Sequence, residues 1–183
     1  KEKLTLADAS KVNYDKDTRK ISFDRDGMEI DLGGIAKGYT SAQIMQIYQD
    51  CGVTSGLVNL GGNVQALGCK TDGSKWKVAI QSPDDTEDYL GILEIENQAV
   101  ITSGGYERYF EEDGVTYHHI IDPATGYPAD SGLISVTIVS DDGTLADGLS
   151  TSLFIMGEEK AAQFWKENSE KFETIMETAD GKL

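Results

Sequence analysis

Residues 31 to 39 read DLGGIAKGY, with three glycines, one aspartate and one lysine in nine positions, an alternating stretch behind and helical spacing ahead. A strand that runs into Gly33-Gly34 and then into a helix must turn within a few residues, and glycine makes that turn with no side chain in the way. The first amides of the helix have no intrahelical partners, so the turn offers bare N–H groups and lets a ligand approach the backbone closely. Such a place suits an anion. Lys37 adds a positive charge, and Asp31 caps the turn or serves a metal. The same residues also make a plain tight turn with a surface lysine, and this stretch alone does not choose between the two.

The rest of the composition narrows what that anion can be. With 32 acidic and 16 basic residues the chain carries a formal net charge of −16, which repels nucleic-acid backbones and anionic lipid surfaces. No nucleic-acid partner is expected. A phosphorylated ligand requires local backbone dipoles or a divalent cation to offset the charge. The 183 residues suffice for one well-buried core, so one domain over 1–183 is expected. No apolar run approaches a membrane span. The chain begins at Lys1 rather than methionine, so a further segment upstream is expected. Cys51 and Cys69 lack CxxC spacing, and both read as small, partly buried apolar residues rather than a zinc site or a disulfide.

The segment VNYDKDTRKISFDRDGMEIDLG alternates and is broken by Asp-Lys-Asp and Asp-Gly, which predicts three short antiparallel strands. From Gly38 to Cys51 the apolar Tyr39, Ala42, Met45 and Tyr48 recur every three residues, predicting a helix with one buried stripe that ends at Gly52. SGLVNLGGNVQALG reads as strand, glycine turn and strand. KWKVAIQSP, LGILEIEN and QAVITSGG are expected to continue the sheet. YHHIIDPATGYPAD is a strand entering a proline and glycine loop, and LISVTIVS is another strand. Helices are expected from about Leu145 to Met156 and from Glu158 to Ser169, and KFETIMET supplies a last strand. Strands and helices mix without regular βαβ alternation, so the fold class is α+β, with a mixed, mainly antiparallel sheet and flanking helices.

Two further stretches carry chemistry. In HHIIDPATG, neighbouring strand residues point to opposite faces, so His118 and His119 cannot share a cleft and at most one is catalytic. A histidine acts as a general base near neutral pH, while Asp122 orients a group or shapes the turn. The alternative is that Asp122-Pro123 merely begins a turn and both histidines are exposed. In LADGLSTSLFIMG, Asp147 and Thr151 stand four apart, which on a helix places a carboxylate and a hydroxyl on one face as two oxygen ligands for Mg2+. The alternative makes Asp147 a helix N-cap and Thr151 a core-facing residue.

Together, DLGGIAKGY, VNLGGNVQALG, ITSGGYERYF, HHIIDPATGYP and ADGLSTSLFIMG stand in the order and approximate spacing of the ApbE family, the FAD:protein FMN transferases, which this chain resembles from about Ile21 to Gly157. The resemblance implies Mg2+-dependent transfer of the FMN half of FAD to a threonine hydroxyl of an acceptor flavoprotein, with release of AMP. It implies metal ligation by the carbonyl oxygen of Ala36 and the side chains of Asp147 and Thr151, with His119 as catalytic base. It also implies a dinucleotide pocket lined by Gly33, Gly34, Lys37, Gly61, Gly62, Asn63, Thr102, Ser103 and Gly104, with Asp122 among the cofactor-binding residues. A cation would neutralise the pyrophosphate as AMP departs, which reconciles such a substrate with the acidic chain.

Alternative activities are an FAD pyrophosphatase that gives FMN and AMP, and a flavin-binding module without turnover. Family members are longer, and the segment that precedes the first motif in them is absent here. Weak FAD binding is therefore expected, together with an exposed sheet edge that favours pairing with a second copy of the chain. The family resemblance further implies an exported, membrane-anchored lipoprotein whose anchor lies outside this chain.

Overall fold

The computed structural model describes residues 2–83 and 88–183. Two short 3-10 turns, Glu2–Leu6 and Ala9–Lys11, lead into a hairpin of β1 (Val12–Asp15) and β2 (Lys20–Phe23). The Asp-Lys-Asp turn falls where the sequence predicts it. The third expected strand does not form: the residues between β2 and the first helix join no ladder. They have alternation but no neighbouring strand to pair with, and alternation alone fixes a face rather than a partner.

The helix α1 (Ala36–Asp50) follows, then the hairpin of β3 (Gly56–Leu60) and β4 (Asn63–Leu67). Its two-residue turn is Gly61-Gly62, with φ of +58° and +92°. Both central residues lie in the left-handed region, as a turn matched to strand twist requires. Next come β5 (Trp76–Gln81), β6 (Tyr89–Ile95), β7 (Ala99–Gly104), β8 (Tyr109–Glu112) and β9 (Val115–His118). The chain closes with β10 (Leu133–Ser140), α2 (Gly143–Met156), α3 (Glu158–Asn168) and β11 (Glu173–Thr178).

The central sheet is antiparallel throughout, in the order β11-β10-β7-β4-β3. Its two faces follow strand alternation. Ala99 and Ile101 of β7, with Val136 and Ile138 of β10, face a core completed by Ala146, Leu153 and Phe154 of α2. Val100 and Val139 face the other way, against Val78 and Ile95. Those last two belong to β5 and β6, which form a separate two-stranded layer instead of extending the main sheet as expected. Trp76 and Leu93 sit beside them. Burying a side chain the size of Leu153 or Phe154 contributes about 1.5–3 kcal/mol, which holds α2 against the sheet.

The cap of α2 is Asp142, whose carboxylate accepts hydrogen bonds from the Thr144 and Leu145 amides at 2.8 and 3.0 Å. Gly157, with φ of +79°, ends that helix and admits α3 at once. The buried face of α1 is Gly38, Ser41 and Met45, while Tyr39, expected on the stripe, is exposed. Close approach to α2 explains the shift. A Cβ on Gly38 would lie 2.2 Å from the Gly143 carbonyl oxygen, so this face of α1 needs small residues where the sequence reading followed large ones. Cys51 is exposed, contrary to expectation, and both cysteines are free.

Candidate functional site

A cleft of about 380 Å³ opens where seven segments meet: the Gly33-Gly34 turn, the first turn of α1, the β3–β4 turn, the end of β7, the residues just before β8, those just after β9 and the middle of α2. Gly33, Gly34, Lys37, Gly61, Thr102, Ser103, His119, Asp147 and Thr151 line it, together with Asp31, Glu107, Arg108, Ile120 and Ile121. Residues spread over 120 positions of sequence are thus brought to one place by the crossing of α1 on α2 and by strand order.

Asp147 is the least exposed of the polar and charged residues in this lining, at 5%. It is not the cap of its own helix, since Asp142 holds that position. Instead its Oδ2 accepts a hydrogen bond of 2.8 Å from the Gly38 amide. The start of α1 has no side-chain cap of its own at Ile35, so a carboxylate from α2 satisfies one of its orphan amides, where the helix dipole favours a negative charge. Oδ1 has no hydrogen bond, and among the described residues no cation forms an ion pair with Asp147. A buried carboxylate with one bare oxygen and no counter-charge calls for a cation.

The surrounding donor set agrees with that requirement. Ser103 Oγ lies 3.1 Å from Thr151 Oγ1 and 2.8 Å from Ser150 Oγ. The lining also holds three carboxylates (Asp31, Glu107, Asp147) against two cations, Lys37 and Arg108. Among the described residues no group of three His, Cys, Asp or Glu side chains gathers to hold a metal. Oxygen ligands with a single carboxylate suit Mg2+, which keeps waters and binds substrate phosphates, far better than zinc. Asp147, Thr151 and the first turn of α1, where Ala36 stands, therefore fit a hard divalent cation.

The two histidines part as the strand reading requires. His119 follows β9 and faces this cleft, while His118 lines a second cavity of about 460 Å³ on the other side of the β8–β9 hairpin, with Tyr106, Tyr109 and Phe154. His119 Nδ1 lies 3.2 Å from the Arg108 carbonyl oxygen, and its amide donates to the same oxygen at 3.1 Å. A carbonyl only accepts, so Nδ1 carries a proton, and in the neutral ring the lone pair is on Nε2. That is the tautomer a general base needs. His118 is instead used up: Nε2 meets the Ala129 carbonyl at 3.1 Å, Nδ1 accepts from the Ile120 amide at 3.3 Å, and the ring stands edge-on to Phe154. The expectation of two exposed histidines in a simple turn fails for His118.

Five predicted residues lie outside the lining: Ala36, Gly62, Asn63, Gly104 and Asp122. Asn63 is buried beneath the β3–β4 turn, with Nδ2 unpartnered. Gly104 faces the Tyr106 ring. Asp122 shapes its own turn, since Oδ1 accepts from the Ala124 amide at 2.8 Å. Sequence reasoning missed Glu107 and Arg108 because it missed the β8–β9 hairpin. Asp113-Gly114, with φ of +52° and +76°, is the turn that would have revealed it.

The chain is similar to known proteins. The model of the ApbE family matches residues 1–176. An FAD:protein FMN transferase of Klebsiella pneumoniae (strain 342) is 42% identical over 159 residues, covering 86% of this chain and 48% of that protein. One of Treponema pallidum (strain Nichols) is 42% identical over 150 residues, covering 77% and 41%. Among solved structures, the ApbE protein of Thermotoga maritima superposes with a TM-score of 0.90 at 37% identity, covering 99% of this chain and 58% of that one. The flavin transferase ApbE of Vibrio cholerae gives 0.85 at 32% identity, covering 98% and 57%. The chain spans about half the length of the curated relatives it matches.

Proposed function

Because this chain belongs to the ApbE family, we propose that its cleft transfers the FMN part of FAD to a threonine hydroxyl of an acceptor protein and releases AMP. The observation that carries the proposal is the pairing, in one cleft, of a carboxylate oxygen of Asp147 left without a hydrogen bond and a histidine that can present its Nε2 lone pair.

In the proposed reaction the threonine Oγ forms a bond to the phosphorus on the riboflavin side of the pyrophosphate. The bond from that phosphorus to the bridging oxygen breaks, and AMP leaves with the electron pair. His119 Nε2 takes the hydroxyl proton, because an alcohol is a weak nucleophile until a base within hydrogen-bond reach removes its hydrogen. Arg108 holds His119 in the required tautomer through its carbonyl oxygen. Lys37, tethered to the Gly61 carbonyl at 3.5 Å, stands where it can meet a phosphate. The Gly33-Gly34 turn leaves room in front of it, since a Cβ on Gly34 would touch nothing within 4 Å. Asp147 and Thr151, with the Ala36 carbonyl, would hold Mg2+, which when bound supplies the charge neutralisation that a pyrophosphate leaving group needs.

His119 is exposed, and this supports a second reading in which water replaces threonine and FAD is split to FMN and AMP. The same proposal sets the protein outside the cytoplasmic membrane on a lipid anchor, as family resemblance implies. Incubation with FAD, Mg2+ and a threonine-bearing acceptor, followed by weighing the acceptor and assaying AMP, tests all readings. Transfer predicts a gain equal to one FMN less water and equimolar AMP. AMP without a gain favours hydrolysis, and neither product leaves a binding module.

A further inference from the structure

We propose that Thr151, Ser103 and Ser150 form a one-way chain of hydroxyl hydrogen bonds that turns the Thr151 lone pairs into the cleft, making Ser103 and Ser150 positioning residues for the cation site. The proposal rests on the reading above that Asp147 and Thr151 hold a divalent cation.

The direction of the chain follows from counting hydrogens. Each hydroxyl has one to donate and can accept through its lone pairs. Ser150 Oγ lies 2.9 Å from the Asp147 carbonyl oxygen, one turn back on α2. A carbonyl cannot donate, so the Ser150 hydrogen is committed there. The 2.8 Å contact between Ser103 and Ser150 then requires Ser103 to donate. With its hydrogen spent, Ser103 can only accept in its 3.1 Å contact with Thr151, so Thr151 donates. What remains on Thr151 Oγ1 is lone-pair density. A hydroxyl that ligates Mg2+ must present a lone pair rather than a hydrogen, and this chain leaves only that option.

Ser150 is fully buried and does not line the cleft, so its hydroxyl acts on Thr151 Oγ1 by way of Ser103. Strand alternation makes the arrangement possible: Ser103 continues the face of β7 that carries Ala99 and Ile101 and looks onto α2. Without the Ser150 hydroxyl, Ser103 is free to donate to Thr151. That reversal would aim the Thr151 hydrogen at the cation.

Mn2+ is the probe, with free Mn2+ counted by electron paramagnetic resonance and Mg2+ added as competitor. Ser150→Ala and Ser103→Ala should each weaken Mn2+ binding roughly ten- to a hundredfold, the usual effect of losing a partner that orients a metal ligand. Ser103→Thr, which keeps the hydroxyl, should bind as the unaltered chain does. The melting temperature of metal-free Ser150→Ala should fall by no more than a few degrees, because the helix propensity of alanine partly offsets the two hydrogen bonds lost. Unchanged Mn2+ affinity in both alanine variants would overturn the hydroxyl chain while leaving the cation site standing. Failure of the unaltered chain to bind Mn2+ would overturn both, and it is recognised before any substitution is made. Should Ser150→Ala not fold, the contrast between Ser103→Ala and Ser103→Thr decides alone, with equal binding by the two refuting the chain.

Discussion

Replacing Gly38 by alanine should destabilise the protein, although the same change inside an ordinary helix stabilises it by about 1 kcal/mol. The new Cβ would sit 2.2 Å from the Gly143 carbonyl oxygen and 2.5 Å from Asp147 Cβ. The first distance is roughly 1 Å short of a tolerable contact, and the atom it meets is backbone, which no rotamer change can move. The helices α1 and α2 must therefore separate, at about 1–3 kcal/mol for overpacking. Separation also stretches the 2.8 Å bond from the Gly38 amide to Asp147, and a hydrogen bond to a charged group contributes about 1.5–3 kcal/mol. Less the propensity gain, the net cost is about 1.5–5 kcal/mol, which for a chain of this size lowers the melting temperature by roughly 3–20 °C. Thermal unfolding by circular dichroism measures it. Gly148→Ala is the control: its Cβ would find only Ile35 Cγ2, at 3.4 Å, so that variant should be unchanged or slightly more stable. A Gly38→Ala protein that melts at or above the temperature of the unaltered chain would refute the close-contact argument.

Four other outcomes follow from single sites. His119→Ala should slow FMN transfer by roughly two to four orders of magnitude, the usual contribution of a general base, with the melting temperature unchanged; His118→Ala should instead lower the melting temperature, because two backbone partners lose their bonds. Asp142→Ala should cost about 0.5–2 kcal/mol in urea unfolding by uncapping α2. The Tyr106 phenol is held above its usual range first by burial and then by the charge of Glu107. The unfolded chain releases that proton near pH 10 while the folded one keeps it, so the contribution is whole below about pH 10 and is lost as pH rises through the folded value. Tyr106→Phe should therefore lose less stability than the unaltered chain over that alkaline range, as titrated by unfolding at successive pH values.

Much of the fold was legible because its signals are local. The Gly61-Gly62 hairpin, the Gly52 end of α1 and the α2–α3 break at Gly157 each rest on one glycine conformation. The opposition of His118 and His119 needed only strand alternation. Contacts between distant segments were not legible. Nothing in the sequence says that Gly38 will meet Gly143, because small residues leave no apolar period to read. The same blindness promoted Tyr39 to a buried stripe it does not join. The role of Asp147 as cap of the other helix also depends on that crossing. For β5 and β6, the strands were legible but not the layer they form, since pairing partners are set by tertiary packing. Arg108 became visible only once β8 was paired with β9, which brings it opposite His119.

The central claim is that Asp147 and Thr151 form one half of a divalent-cation site in the cleft that His119 faces. Crystals of the chain soaked with Mn2+ and measured at a wavelength with strong manganese anomalous scattering test it directly. An anomalous peak is expected within roughly 2–2.5 Å of both Asp147 Oδ1 and Thr151 Oγ1, the oxygen-ligand range of hard cations. A peak elsewhere with this position empty at saturating Mn2+, or a peak on His119 in place of Thr151, would contradict it.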